Sequence, residues 1–204
     1  MTFLPIVETQ QGDVTGYIPS NLISMTDGQI YLSTTQMHEG FLPPIDLALS
    51  VSRIGSTVQP EAIKELSSRL RLEYVQYLEL LHLTRMKARV SSEVTEKMSR
   101  GQTLFKLFVQ QLHQPCSLEE EVILFYAFSR NILEILPADA MARFIANIYS
   151  FLSVVNPELI EKIRTQMLLT KEIREGLNGA FVEFFNCLLY TSPSPRDLST
   201  SRMP

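Results

Sequence analysis

The chain has 204 residues and a mass of 23.2 kDa, and its 45% hydrophobic and 20% charged residues exclude disorder throughout. Its formal net charge of −4 supplies no basic field, which disfavours nucleic-acid binding through phosphate neutralisation. No apolar run approaches the roughly 18 residues of a membrane helix, and the first residues do not resemble a signal peptide, so we expect a soluble protein that is not exported.

The charge divides the chain into two parts. Residues 1–60 contain five acidic residues and one basic residue, Arg53, so this part carries the whole net charge. The remaining residues contain 17 acids and 17 bases, mixed along helical faces as on a solvated bundle. We therefore expect two domains, over residues 1–59 and 60–189.

The first part is predicted to contain short strands. Apolar, β-branched runs indicate strands at 4–7, 22–25, 29–32 and 45–51, and Asp27-Gly28 between two of these runs predicts a hairpin or tight turn. Residues 17–21 are predicted to form a loop. So few strands cannot bury both faces of a sheet, so we expect a remnant of a larger α/β domain that is unstable or prone to aggregate alone.

From Pro60 onward the apolar period changes to that of helices. One long helix is predicted at 61–89, a short one ends at Gly101, and residues 104–111 add a turn or two. The capping box at Ser117 predicts a helix to about residue 135. An apolar stripe over 141–155 and further apolar spacing to residue 188 complete a bundle of about six helices.

The last fifteen residues differ in composition from the rest. Residues 190–204 include nine Ser, Thr or Pro and show no apolar periodicity, which predicts a disordered tail. The segment also resembles a translated sequencing adapter. A non-native origin is favoured, and an ordinary flexible tail is the alternative.

Motifs for a self-contained active site are missing from the sequence. Neither GxxxxGK[ST] nor GxGxxG occurs, so the chain lacks the usual phosphate-binding loop. Cys116 and Cys187 lack the spacing of a zinc site and are expected to be reduced structural thiols, so no metal site is predicted. No nucleophile has a base and an acid at suggestive positions, which disfavours an enzyme acting alone.

Arg53 is the candidate functional residue of the first part. It follows an apolar run in the string SVSRIG (50–55). Ligands of open α/β sheets collect at the carboxyl ends of strands, where a guanidinium offers a planar set of donors to phosphate oxygens. The structural alternative is that Arg53 pairs with one of the five acids nearby.

Several strings together resemble the alpha subunits of F-type ATP synthases. In the first part they are dense and ordered: ETQ (8–10), GDV (12–14), YIPSN (17–21), LISMTDGQI (22–30) and SVSRIG (50–55). In the helical part the similarity is looser: QYLEL (76–80), RGQ (100–102) and LFYA (124–127). The resemblance covers residues 1–189 and implies the last strands of a RecA-like nucleotide-binding domain followed by an all-helical C-terminal domain.

The resemblance implies a non-catalytic subunit of a complex that makes ATP from ADP and phosphate with a proton gradient. Alpha subunits alternate with beta subunits in a hexamer around the gamma central stalk, and they contact the delta subunit and peripheral stalk. ATP or ADP with Mg²⁺ would be the cofactor of the intact complex. The complex would be peripheral on a bacterial plasma membrane, a mitochondrial inner membrane or a thylakoid, on the soluble face.

The resemblance also assigns a role in catalysis to three residues. Arg53 would reach across the subunit interface to the phosphates in the beta subunit's catalytic site, where an arginine supplied in trans stabilises the transferring phosphoryl group. Ser50 would lie at that interface, and Ser24 near the phosphate end of the same site. For both serines the alternative is a small hydroxyl that ends a strand or caps a turn.

Two further residues match positions that contact adenine in the family. These are Pro43 and Gln110, although Gln110 is equally compatible with a solvated helix end. The family's usual arginine before that proline is Leu42 here, and its second glutamine is Leu112. Both replacements remove polar contacts to the purine, which puts adenine binding in doubt.

Two alternatives from other classes stay open on sequence alone. In the first, residues 60–189 form a helical protein–protein interaction module with no role in nucleotide chemistry, which an exposed Leu/Phe patch would favour. In the second, the chain belongs to a related rotary or helicase-like ATPase. The TDG and SVSR segments resemble the F-type alpha pattern more than that of the related ATPases in the second alternative.

Overall fold

The structure, a computed structural model, describes residues 3–84 and 92–191. In the first part it contains helices α1 (Tyr17–Met25) and α2 (Thr34–His38), and strands β1 (Gly28–Gln29) and β2 (Val51–Ser52). The second part contains α3 (Glu61–Ser67), α4 (Leu70–Thr84), α5 (Ser92–Phe108), α6 (Leu118–Ser129), α7 (Ile132–Ile135), α8 (Ala138–Val155), α9 (Pro157–Gln166) and α10 (Lys171–Thr191). None of the helices in these ranges is both long and apolar enough to cross a membrane.

The first part has less β-structure than the sequence predicts. Strands β1 and β2 pair antiparallel over two residues each, and one isolated bridge joins Leu32 to Ile45. The predicted strand at 22–25 and the predicted loop at 17–21 are both wrong, because these residues form α1. Residues 4–7 have no regular secondary structure.

Proline position explains why α1 forms. Pro19 is the third residue of the helix, where a missing N–H removes no intrahelical hydrogen bond. Asp27-Gly28 consequently joins a helix to β1 and does not connect two strands. The chain bends at residues 26–27, and the predicted hairpin between two strands is wrong.

The predicted long helix at 61–89 is divided into α3 and α4. Ser68 lies at the break, where its hydroxyl donates to the Glu65 carbonyl at 3.2 Å. Such a local bond competes with helix continuation. Ile63, Leu70 and Tyr74 are buried, as the apolar helical period predicts. Residues 85–89 of the predicted helix lie outside the described ranges.

Gly101 does not end a helix. Helix α5 continues through it to Phe108, so the separate turns predicted at 104–111 belong mostly to the same helix. A Cβ built on Gly101 would lie 2.2 Å from Cγ of Tyr77 on α4. The glycine therefore permits close approach of α4 and α5.

The capping prediction at Ser117 is confirmed at the start of α6. Its side chain accepts a hydrogen bond from the Glu120 N–H. The helix ends at Ser129, earlier than predicted, because Asn131 adopts a left-handed conformation (φ 57°) before α7.

The core of the second part is one cluster that extends from α3, α4 and α5 through α6 to α8, α9 and α10. The predicted stripe on α8 is buried at Met141, Phe144, Ile148 and Leu152, whereas Val155 at its end is exposed. These side chains pack on an aromatic cluster from α8 and α10, formed by Phe144, Phe151, Phe181, Phe184 and Phe185. In the described residues the second part has eight helices, more than the six predicted, and α10 includes residues 190 and 191 of the predicted tail; residues 192–204 are not described.

Phe41 connects the two parts. It is 3% exposed, and its ring lies 5.1 Å from that of Phe105 and 5.9 Å from that of Tyr74. This aromatic contact helps to pack the first part onto α4 and α5.

Candidate functional site

Arg53 lies directly after β2, beside the last turn of α1. Its N–H donates to the Asp27 carbonyl at 2.8 Å, and its guanidinium donates to the carbonyls of Ile23 at 3.1 Å and Ser24 at 3.4 Å. The last carbonyls of a helix lack intrahelical partners and carry partial negative charge. The helix end therefore orients the guanidinium.

The predicted structural alternative for Arg53 finds no support in the described residues. The side chain is exposed, its hydrogen bonds go to carbonyl oxygens, and no carboxylate of these ranges pairs with it. Carbonyl contacts do not neutralise a full positive charge. Arg53 thus presents an uncompensated guanidinium at the surface of the first part.

Ser24 and Ser50 lie in different surroundings. Ser24 is exposed on α1, where its hydroxyl donates to the Asn21 carbonyl at 2.7 Å and its carbonyl accepts from Arg53. The Ser50 hydroxyl accepts a hydrogen bond from the Tyr31 N–H at 2.9 Å and joins the segment that follows β1 to the segment that precedes β2. The structure brings Ser24 together with Arg53, and it gives Ser50 a structural hydrogen bond.

Pro43 and Gln110 lie in two segments that are joined by a hydrogen bond, although 67 positions separate the two residues. The Gln110 N–H donates to the Leu42 carbonyl at 2.7 Å, and the peptide bond between Leu42 and Pro43 is cis. Leu42 and Leu112 are 39% and 77% exposed at this junction. The four predicted base-contacting positions thus come from two segments that are in contact, and two of the four present apolar surface.

Arg71 is a residue of this region that the sequence analysis missed. From α4 its guanidinium donates to the carbonyls of Ser50 at 3.1 Å and Ala48 at 3.4 Å. It therefore attaches the segment before Arg53 to the helical part. Its place in an ordinary helical pattern gave no indication of this contact.

Two groups with shifted pKa values in the described residues, Asp13 and Tyr74, lie outside the contacts of Arg53. Bonds from Thr15 lower the pKa of the exposed Asp13 carboxyl. On α4, burial raises the pKa of Tyr74 to about 12. No cluster of three His, Cys, Asp or Glu side chains suited to a metal ion occurs within 3–84 and 92–191.

Comparison with known proteins decides the family. Residues 59–184 match the family model "ATP synthase alpha/beta chain, C terminal domain", and residues 1–52 match "ATP synthase alpha/beta family, nucleotide-binding domain". The chain belongs to the ATP synthase alpha/beta family. ATP synthase subunit alpha of Lawsonia intracellularis (strain PHE/MN1-00) is 38% identical to it over 183 residues, which cover 90% of this chain and 36% of that relative.

The comparisons confirm the resemblance to alpha subunits and the predicted fold class. Within the ATP synthase alpha/beta family, this chain combines the last part of a nucleotide-binding domain with a C-terminal helical domain. It spans about a third of the length of the curated relative it matches. Arg53 lies one residue beyond the nucleotide-binding match, and Gln110 lies within the C-terminal one.

Proposed function

We propose that this chain acts in a proton-translocating F-type ATP synthase and supplies Arg53 in trans to a catalytic site on a neighbouring beta subunit. The observation that carries the proposal is the exposed guanidinium of Arg53, which the end of α1 orients and which no described carboxylate neutralises. A paired arginine would have to break an ion pair before binding phosphate. Arg53 has only carbonyl contacts to exchange.

The chemistry suits phosphoryl transfer. Charge spreads over the equatorial oxygens of the transferring group, and a planar guanidinium can donate to two of them at once. An arginine supplied by a neighbouring subunit accelerates comparable nucleotide hydrolases by roughly a thousandfold or more. Ser24, beside the same guanidinium, would lie near the phosphates, whereas Ser50 would act by fixing the strand before Arg53.

The same proposal assigns partners and cofactor. Beta subunits would alternate with the alpha subunit around the gamma stalk, and the delta subunit and peripheral stalk would hold the hexamer on the soluble face of an energy-transducing membrane. The bound group would be ATP or ADP with Mg²⁺. When bound, the cation would supply charge neutralisation at the phosphates.

The fit of a nucleotide to this chain's own residues is partial. Pro43 and Gln110 lie in contacting segments and could border a base, but Leu42 and Leu112 offer it no hydrogen bonds. The sequence contains no phosphate-binding loop, and no described carboxylate cluster offers a Mg²⁺ site. We therefore assign these residues to one edge of a base pocket only.

The alternative of a free-standing helical interaction module has less support. It predicts a broad exposed Leu/Phe patch on residues 60–189. Most of the large apolar side chains exposed among the described residues lie instead within 3–58, including Phe3, Leu4 and Ile6. Exposure there suits a segment that packs against more of an α/β domain.

The test is Arg53→Lys in the assembled complex that contains this chain. Lysine keeps the charge and loses the planar pair of donors, so we expect normal assembly and a turnover that falls by roughly a hundredfold or more. Arg143→Lys is the matched control, because Arg143 is exposed on α8 far along the chain. Unchanged turnover in the Arg53 variant would refute the role in trans.

A further inference from the structure

A polar cavity of about 570 Å³ lies in the helical part, away from Arg53. Two interruptions of the helices meet there, the break between α3 and α4 at Ser68 and Arg69 and the end of α6 at Ser129 and Arg130. The first turns of α10 lie beside them and contribute Arg174. Its size is that of a small-molecule site. The sequence analysis did not identify it, because its residues come from five helices that are separated along the chain.

Guanidinium groups dominate the walls of this cavity. Four arginines line it, against two carboxylates, Glu65 and Glu73: Arg69, Arg100, Arg130 and Arg174. The lining of this cavity therefore carries more positive than negative charge, although the net charge of the chain is −4.

Two of the four arginines are fixed by ion pairs. Arg100 donates to Glu73 at 2.9 Å, pairs with Glu134 as well, and stacks over Phe128 with its Cζ 4.4 Å from the ring centroid. These partners outweigh the desolvation of Arg100, and its pKa is raised. The second fixed guanidinium, that of Arg174, donates to both oxygens of Glu65 at 2.7 and 3.0 Å.

The other two arginines have no such partner. Within the described residues, the side chains of Arg69 and Arg130 make neither a hydrogen bond nor an ion pair, and both are exposed. The neighbouring Ser68 and Ser129 hydroxyls already donate to the carbonyls of Glu65 and Tyr126, so the two arginines are the donors left for a ligand at this edge of the cavity. Two uncompensated guanidiniums therefore border one concave site.

We propose that this cavity binds a small multivalent oxyanion of the phosphate class, with Arg69 and Arg130 as its direct ligands. Each guanidinium can donate two parallel hydrogen bonds to such an anion, and the pair supplies two positive charges at one place. The fixed pairs of Arg100 and Arg174 keep the walls in place. The proposal goes beyond the role of Arg53, which does not line the cavity.

Inorganic pyrophosphate is the probe, titrated into the full chain at constant ionic strength and followed by calorimetry and thermal unfolding. We expect saturable binding, with a rise in Tm that follows occupancy. Arg69→Gln and Arg130→Gln should each weaken binding by roughly tenfold or more, and the double variant should abolish it. Circular dichroism establishes that each variant is folded.

A control variant locates the site. Arg143→Gln removes an exposed arginine on α8 outside the cavity, and it should bind pyrophosphate as the parent does. Undiminished binding in the double variant would overturn the proposal. Equal loss of binding in Arg143→Gln would also overturn it, by assigning the anion to another site. Equal Tm shifts with sodium chloride would overturn it by assigning the effect to screening.

Discussion

Replacing Gly101 by alanine tests how α4 and α5 are packed. A Cβ at this position would lie 2.2 Å from Cγ, 2.3 Å from Cδ2 and 2.4 Å from Cβ of Tyr77. Carbon atoms in contact are normally about 3.5–4.0 Å apart, so the helices would have to separate by about 1 Å or more. The Tyr77 Cβ is joined to the backbone, so rotation of the ring cannot relieve the overlap.

The magnitude follows from two opposing effects. Overpacking a core costs about 1–3 kcal/mol, and the upper end applies because α4 itself has to move. Alanine recovers about 1 kcal/mol of helix propensity relative to glycine. We therefore expect a net loss of about 2 kcal/mol, or roughly 6–10 °C in Tm for a domain of this size.

Gly179→Ala is the matched control on α10, where an added Cβ meets nothing within 4 Å. It should raise the stability by about 0.5–1 kcal/mol through helix propensity alone. The assay is thermal and urea unfolding of the full chain, followed by circular dichroism at 222 nm. If Gly101→Ala is as stable as the parent while Gly179→Ala gains stability, then α4 and α5 are not in the close contact described.

Three other predictions concern pH, thiols and proteolysis. The Arg164 guanidinium, 2.6 Å from Glu119, holds the pKa of that carboxyl below its ordinary value. The ion pair therefore stabilises the folded state at neutral pH, and this contribution is lost as the pH falls through the lowered pKa. Glu119→Gln should therefore lower stability by about 1 kcal/mol at pH 7 and by little at pH 2, in urea titrations; an equal loss at both would contradict this. Burial raises the pKa of the Cys116 thiol to about 12, whereas Cys187 is exposed. Iodoacetamide at pH 8 should therefore label Cys187 first. Equal labelling rates of the two thiols in the folded chain would contradict this prediction. The first cuts by proteinase K should fall N-terminal to Phe41, because that segment contains exposed side chains such as Ile6, which is 98% exposed. First cuts within α8 would contradict this prediction.

Elements with strong local signatures could be predicted from sequence. The stripe from Met141 to Leu152 and the cap at Ser117 depend on spacing and on one hydroxyl, and both are confirmed. The helix α1 could not be predicted from its apolar run, because residues 22–25 are as compatible with a strand as with a helix. Pro19 suggests a turn, and only the structure shows that it lies in the first turn of a helix, where proline is tolerated.

Breaks and continuations depended on tertiary contacts. Gly101 predicts a helix end by propensity, but its neighbour Tyr77 is 24 positions away, and no local pattern shows that the two helices touch there. The same holds for the site: motif resemblance pointed to Arg53 and Ser24, whereas the carbonyl contacts that orient Arg53 and the attachment by Arg71 required the fold.

The role of Arg53 in trans is tested most directly at the beta subunit's site. In the assembled complex, the affinity for ADP with aluminium fluoride, an analogue of the transferring phosphoryl group, is compared with that for ADP in the parent and in Arg53→Lys. A group that acts in the transition state should lose affinity for the analogue by about the same factor as turnover, with the affinity for ADP nearly unchanged. Equal affinity of both complexes for the analogue would contradict a catalytic role for Arg53.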